Sequence, residues 1–311
     1  MNVSISKFTF VFTTDQGLVP SKKQHYVPQV YLKQFARDNK SLWVFDKEDR
    51  RSFKASIADI ATGNYFYDHP VLDEQLGYQV LEREFSKLES HYSRFTARFE
   101  KQDWVIDEDF KEYFSAYVTY QLFRTKSYRK TLSHFVKQTF SQLEDMNASK
   151  EHLSTLAQLV ERSDKDNQLQ FLLDPNGPGE TMDTIKSYFW HITVNNTNRP
   201  FICSDSPVVR HFEDDPSSLH LHLPITPKDG LCIMNNELHT KLGRVENGRF
   251  HVDKNWVKFY NKLQVVYSYR QVYSSSDISR FVENTLYEFP SLKDCEAPKF
   301  FVQFMDGKVK S

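Results

Sequence analysis

The sequence predicts an α+β protein with a helical centre, a small N-terminal β element and a C-terminal β-containing region. Three observations lead there. Apolar residues recur at three- and four-residue spacing through much of 73–166. Short runs of β-favouring residues stand on both sides of that region. No internal repeat or low-complexity tract interrupts the pattern. The 26 Phe and 16 Tyr, within a 39% hydrophobic composition, supply enough apolar surface for a packed core. At 311 residues the chain is expected to be a single domain. Its one internal subdivision falls at "DPNGPGE" (174–180), between parts 22–173 and 181–311.

Taken in order, Pro28 opens a short helix, with Val27, Tyr31, Leu32 and Phe35 as its apolar stripe. Leu42–Phe45 reads as a strand that turns through "DKEDRR" to a partner at Ser52–Lys54. Ile57, Ile60 and Ala61 suggest one helical turn, and "NYFYD" a further strand. A long helix is predicted over Asp73–Lys101, with Leu81, Phe85, Leu88, Tyr92, Phe95 and Phe99 on its inner face. A second runs from Asp107, its N-cap, to Gln142, and a third lies within 144–166. After the break, Thr181–Trp190 is helical and leads into Ile192–Val194. Short strands follow at 201–203, 219–223, 231–234 and 300–304, with helical spacing at Trp256–Tyr267 and Ile278–Leu286. The residues after about 236 are expected to supply packing.

Charge and cysteine content narrow the function. Lys+Arg 40 against Asp+Glu 41 gives a net charge of -1, so no global basic field marks a nucleic-acid binder, and only a local basic groove stays open. Cys203, Cys232 and Cys295 are far apart and form no CxxC pair. This argues against a disulfide scaffold or a thiolate zinc site and suits a reducing cytoplasm. The apolar run in "KFTFVFTTDQ" is too short to span a membrane and lacks a signal cleavage site, so a cytoplasmic protein with no membrane partner is expected. No Walker loop, GxGxxG, HExxH or GxSxG signature is present. His220 and His222 alternate along a strand and offer, with Asp205, a weak metal pattern.

Four polar pairs stand out. Gln24 and His25 immediately precede the Pro28 turn, which places the imidazole at a helix mouth; the plainer reading is a histidine satisfied by a backbone carbonyl. Glu82 and Glu89 are seven apart, on nearly one helix face and about 10 Å from each other; the plainer reading is two solvated carboxylates edging an apolar stripe. Gln121 and Arg124 continue the stripe of Phe110, Phe114 and Tyr117, so the guanidinium needs carboxylate partners, whether for catalysis or as a structural ion pair. Ser204 and Asp205 end a short strand just before Pro207. That position suits a catalytic carboxylate, and it equally suits an Asx-turn.

The blocks "KKQHYVPQVYLKQFA", "LEREFSKLES", "YQLFRT" and "NRPFICSDSPVV", with Trp190 and "HLPITP", resemble the bacterial domain-of-unknown-function family 4238 over most of 22–235. The resemblance implies one polar cleft gathering His25, Glu82, Glu89, Gln121, Arg124 and Asp205. Relatives occur among anti-phage defence genes, which implies a toxic effector. The expected reaction is phosphodiester hydrolysis by a nuclease-like enzyme. His25, Glu82, Arg124 and Asp205 would be catalytic, and Gln24, Gln121 and Ser204 would contact substrate. Glu82, Glu89 and Asp205 would hold a divalent metal, Mg or Mn. Expected partners are a nucleic acid or nucleotide and a phage protein as trigger. Two rivals remain: a non-catalytic sensor or binding module of a defence system, and a polar cluster that is structural only.

Overall fold

A hairpin-like pairing of two short strands carries the His25 motif, and the helical centre packs behind it. The computed structural model describes residues 21–76, 79–101, 105–174, 176–212, 218–242 and 248–297, together with strands 303–305 and 308–310. β1 (Lys23–His25) is followed by α1 (Gln29–Leu32), which Pro28 introduces and a 3-10 turn at 33–35 extends. β2 (Ser41–Asp46) and β3 (Arg51–Ser56) form an antiparallel hairpin. A 3-10 turn at 57–59 leads into β4 (Thr62–Asn64), which pairs with β1 so that His25 faces Thr62.

The helical centre comprises α2 (Pro70–Leu76), α3 (Val80–Ser90), α4 (Tyr92–Glu100), α5 (Glu108–Phe123), α6 (Lys126–Asp145), α7 (Lys150–Glu161), α8 (Asp164–Leu173) and α9 (Asn176–Ser187). Both long predicted helices are broken. The first stops at Gln79, held at a positive φ of 52°, and again at His91. Gln79 is kept there by Ser21 N–H, which donates to its Oε1 at 2.8 Å, and by its own amide donating to Asp68. The second breaks at Arg124, the C-cap of α5, because Thr125 is extended and its hydroxyl accepts from Tyr128 N to begin α6. The third predicted helix within 144–166 is α7, and Ser163, in the short turn after it, caps α8 by accepting from Asp166 N.

Two further expectations are corrected. "NYFYD" is not a strand beyond Asn64, since Tyr65 turns the chain at φ 49°. "DPNGPGE" separates α8 from α9 only at its start: Asp174 accepts from Asn176 N at 2.9 Å, and Pro178 sits in the first turn of α9, where a missing N–H costs nothing. Gly177 is needed there because a Cβ would come within 2.9 Å of the Phe171 ring.

The C-terminal part is β-rich: β5 (Phe189–Asn195), β6 (Cys203–Ser204), β7 (Val209–Phe212), β8 (Leu219–Pro224), β9 (Asp229–Met234), α10 (Asn236–Leu242), β10 (Arg249–Val252), α11 (Lys254–Tyr267), β11 (Gln271–Ser274) and α12 (Ser279–Glu288), with the β12–β13 pair at 303–305 and 308–310. The strand predicted at 300–304 falls partly outside the described residues. One sheet runs β10-β5-β9-β8-β7, and another runs β3-β2-β11-β6. The chain is thus α+β, as its pattern implies. Residues after 236 do more than pack, because β11 is an inner strand between β2 and β6.

The larger core joins both sides of 174–180. It includes Tyr31, Phe85, Tyr92, Phe114, Tyr117, Trp190 and Leu223. Phe95 stacks on Tyr113 with centroids 4.4 Å apart, and Trp190 meets Phe110 edge-on. α5 is buried on nearly every side from Phe110 to Gln121, so each polar side chain on it needs an internal partner. No helix of the described residues is long and apolar enough to cross a membrane.

Candidate functional site

The alternation of β1 sends Gln24 and His25 to opposite sides. Gln24 is fully buried; its Oε1 accepts from Tyr67 N at 2.7 Å, and its amide donates to the Asp68 carboxylate, which Gln79 also bonds. His25 is half-buried, with Nε2 3.4 Å from the carbonyl of Ile57. Burial lowers its pKa; the Ile57 carbonyl opposes this, and the positive charge of Arg124 lowers it further. The imidazole is therefore neutral at physiological pH.

Behind β1, Arg124 organises a polar layer inside the core. Its side chain is 2% exposed. Nη1 donates to Glu89 Oε1 at 2.8 Å, Nε donates to Gln121 Oε1 at 2.9 Å, and the guanidinium lies 4.8 Å from the centre of the Phe85 ring. Gln121 in turn donates to the backbone carbonyl of Tyr26 at 3.0 Å. A chain of bonds thus runs Glu89–Arg124–Gln121–Tyr26 and ties α3 and α5 to the residue next to His25. The hydroxyl of Tyr67 closes the layer by donating to the carbonyl of Arg124 at 3.1 Å.

Glu82 and Glu89 respond differently to this layer. Burial raises both carboxyls. Glu89 is held by its ion pair with Arg124. For Glu82, burial is followed by the negative charge of Glu89, and together they outweigh Arg124 and push the carboxyl up to about 7. Glu82 is therefore a group of this layer that can exchange a proton near neutral pH.

Asp205 sits apart from the Arg124 layer and its role is visible. Its Oδ1 accepts from Tyr269 N, and its Oδ2 accepts from Arg270 N and Gln271 N, each at 2.8 Å. Its own N–H donates to the carbonyl of Gln271 at 3.0 Å. Burial raises its pKa against the pull of these donors. Ser204 is engaged as well, donating to Gln264 Oε1 at 2.8 Å. Asp205 thus fastens the turn before β11 to the end of β6, and Ser204 ties β6 to α11.

The structure therefore brings five of the six predicted residues around Tyr26 and Arg124, and sets Asp205 in a neighbouring cleft of about 180 Å³. Tyr26, Asp59, Lys126, Asp205, Tyr269 and Arg270 line it. Tyr26 joins the two regions, its carbonyl in the first and its ring in the second. Lys126 escaped the sequence reading because a lysine at a helix start resembles a solvated charge. His220 and His222 lie elsewhere, on the five-stranded sheet, where His222 stacks on Tyr260 at 3.7 Å and shares a hydrogen bond with Thr193. Among the described residues no group of three His, Cys, Asp or Glu is arranged to hold a metal ion.

A family model described as a protein of unknown function (DUF4238) matches residues 23–277. No curated protein and no solved structure matches the chain.

Proposed function

The chain belongs to the DUF4238 family, and from its Glu82 layer we propose a phosphodiester hydrolase, a nuclease-like effector of anti-phage defence. The observation that carries this reading is the carboxyl of Glu82, poised at about 7 beside the Glu89–Arg124 pair. A group that titrates near the working pH both takes and gives a proton readily. Hydrolysis of a phosphodiester needs those two transfers: a proton leaves the attacking water as the new P–O bond forms, and a proton reaches the leaving oxygen as the old bond breaks. Neutral His25 supplies the first acceptor in this reading, and protonated Glu82 the donor.

The other residues of the set support rather than react. Arg124 is fully engaged with Glu89 and Gln121, so it holds Glu89 beside Glu82 and does not reach a phosphate. Asp205 has both oxygens occupied by backbone N–H groups, Glu89 is held by Arg124 and Glu82 carries a proton in this reading, so these residues do not fit a Mg or Mn ion and no step is routed through one. The anti-phage setting and a phage-protein trigger come with the family resemblance, a cytoplasmic location with the scattered cysteines, and a nucleic-acid or nucleotide substrate with the proposed reaction.

One observation favours a second reading, a sensor that captures its ligand without turnover. Gln24, Gln121, Arg124 and Asp205 are all satisfied by protein groups, as in a rigid binding frame. Overproduction in cells separates the two. The hydrolase reading expects wild-type protein to arrest growth, and Glu82→Gln and His25→Ala proteins to accumulate folded and harmless. Arrest that persists undiminished in Glu82→Gln at equal protein level removes the hydrolase and leaves the sensor.

A further inference from the structure

The cleft between β1, β4, the start of α6 and the turn at 269–271 contains two hydrogen-bond donors that the protein does not use. Tyr26 is 4% exposed, yet its hydroxyl is bonded to no described residue. Lys126 is half-buried, with its ammonium 5.2 Å from the centre of the Tyr26 ring and in no ion pair with a described residue. Lys126 and Ser127 are the first two positions of the 20-residue α6, where backbone N–H groups have no partner within the helix. The dipole of the helix adds to the charge of Lys126 there.

The acidic groups of the same cleft are already answered. Asp59 pairs with Lys23 at 2.6 Å. Asp205 gives both oxygens to three backbone N–H donors. Arg270 is shared among Asp46, Glu48 and Asp49, so it stiffens the wall and adds no free charge. What the cleft lacks is acceptor oxygen. Its volume of about 180 Å³ is smaller than the ~300–1,000 Å³ of a site for a drug-sized molecule. At ~30 Å³ per water it has room for one tetrahedral anion with a few waters.

We propose that this cleft binds an anionic, oxygen-rich group of the phosphate class, with Lys126 and Tyr26 as its side-chain donors. The site deepens the hydrolase reading, since it would hold a substrate phosphate against Tyr26, the residue next to His25 in the chain, and only that assignment rests on the reading. The binding itself does not need turnover. Lysine suits the role as a compact point charge, and the ring of Tyr26 keeps it extended over the cleft.

The test is calorimetric titration of the whole protein with inorganic phosphate, sulfate and AMP at constant ionic strength, using wild type, Lys126→Met and Tyr26→Phe. Lys126→Met keeps the aliphatic stem over the ring, and Tyr26→Phe removes only the hydroxyl. Circular dichroism and thermal melting establish that both variants are folded. Wild type is expected to bind phosphate, with affinity at least tenfold weaker in Lys126→Met and several-fold weaker in Tyr26→Phe. Tighter binding of AMP than of phosphate assigns the site to a nucleotide, and equal binding assigns it to the free anion. An absence of phosphate, sulfate and AMP binding by wild type, or an unchanged affinity in folded Lys126→Met, overturns the proposal. Binding lost in Lys126→Met while Glu82→Gln stays toxic upholds the site and removes the hydrolase. Toxicity that depends on Glu82 in a protein that binds none of the three anions removes the site alone.

Discussion

Replacing Glu82 by Gln isolates the electrostatic cost of the layer around Arg124. Folding moves the carboxyl of Glu82 from an ordinary 4.5 to about 7. An acid whose pKa rises on folding binds more protons in the folded state. Its contribution is therefore intact below about pH 4.5 and is lost as pH rises to about 7. At about 1.4 kcal/mol per tenfold change in protonation equilibrium, the full loss is about 3 kcal/mol. Glu82 is partly exposed, and solvent screening reduces this to about 2 kcal/mol. Gln resembles the protonated acid at every pH and escapes the loss. Urea unfolding of both proteins at pH 5 and pH 8 should show the stability advantage of Glu82→Gln growing by about 2 kcal/mol between the two. An advantage that does not change with pH, or a variant less stable than wild type at pH 8, refutes the assignment of Glu82 as the strained acid.

Three further substitutions test how the layer and its surroundings are held. Arg124→Ala leaves Glu89 and Gln121 without their partner inside the protein and should cost about 3 kcal/mol or more in chemical denaturation. Asp205→Asn turns one of the two accepting oxygens into an amide facing N–H donors, and should lower stability by about 2 kcal/mol in thermal unfolding, whereas a purely catalytic Asp205 would leave the melting curve in place. Gly230→Ala would place a Cβ 2.6 Å from His222 Nε2 and 2.7 Å from Thr193 Oγ1. It should destabilise by about 1–3 kcal/mol without altering phosphate binding at Lys126.

Much of this architecture was legible because periodicity reports burial. Leu81, Phe85, Leu88, Tyr92, Phe95 and Phe99 are all buried, as their spacing implies. Periodicity does not report helix ends, so the breaks at Gln79, His91 and Arg124 were missed. Each is set by a local turn or a tertiary hydrogen bond: the cap of Thr125 on Tyr128, or Gln79 reaching Ser21 across 58 residues. The placement of β11 between β2 and β6 depends on pairing far along the chain, which a short run such as Gln271–Ser274 does not announce.

The polar site was legible to a similar depth. A guanidinium in an apolar stripe has to be paired, and Glu89 is the carboxylate that meets it. That Asp205 would give both oxygens to the N–H groups of 269–271 was not readable, because those donors lie more than 60 residues away. The same distance hid the cleft of Lys126. A lysine at the first position of a helix gains meaning only when Tyr26 and residue 205 are folded around it.

The pH dependence of phosphodiester cleavage by the purified protein tests the central claim most directly. RNA, DNA and cyclic or linear nucleotides are offered with and without chelator, and the rate is followed from pH 5 to pH 9 for wild type and Glu82→Gln. The account predicts cleavage of one of these substrates, with a limb of the wild-type profile near pH 7 and loss of both limb and rate in Glu82→Gln. Cleavage with an unchanged rate and profile in Glu82→Gln, or none by a folded wild-type protein on any of these substrates, contradicts it.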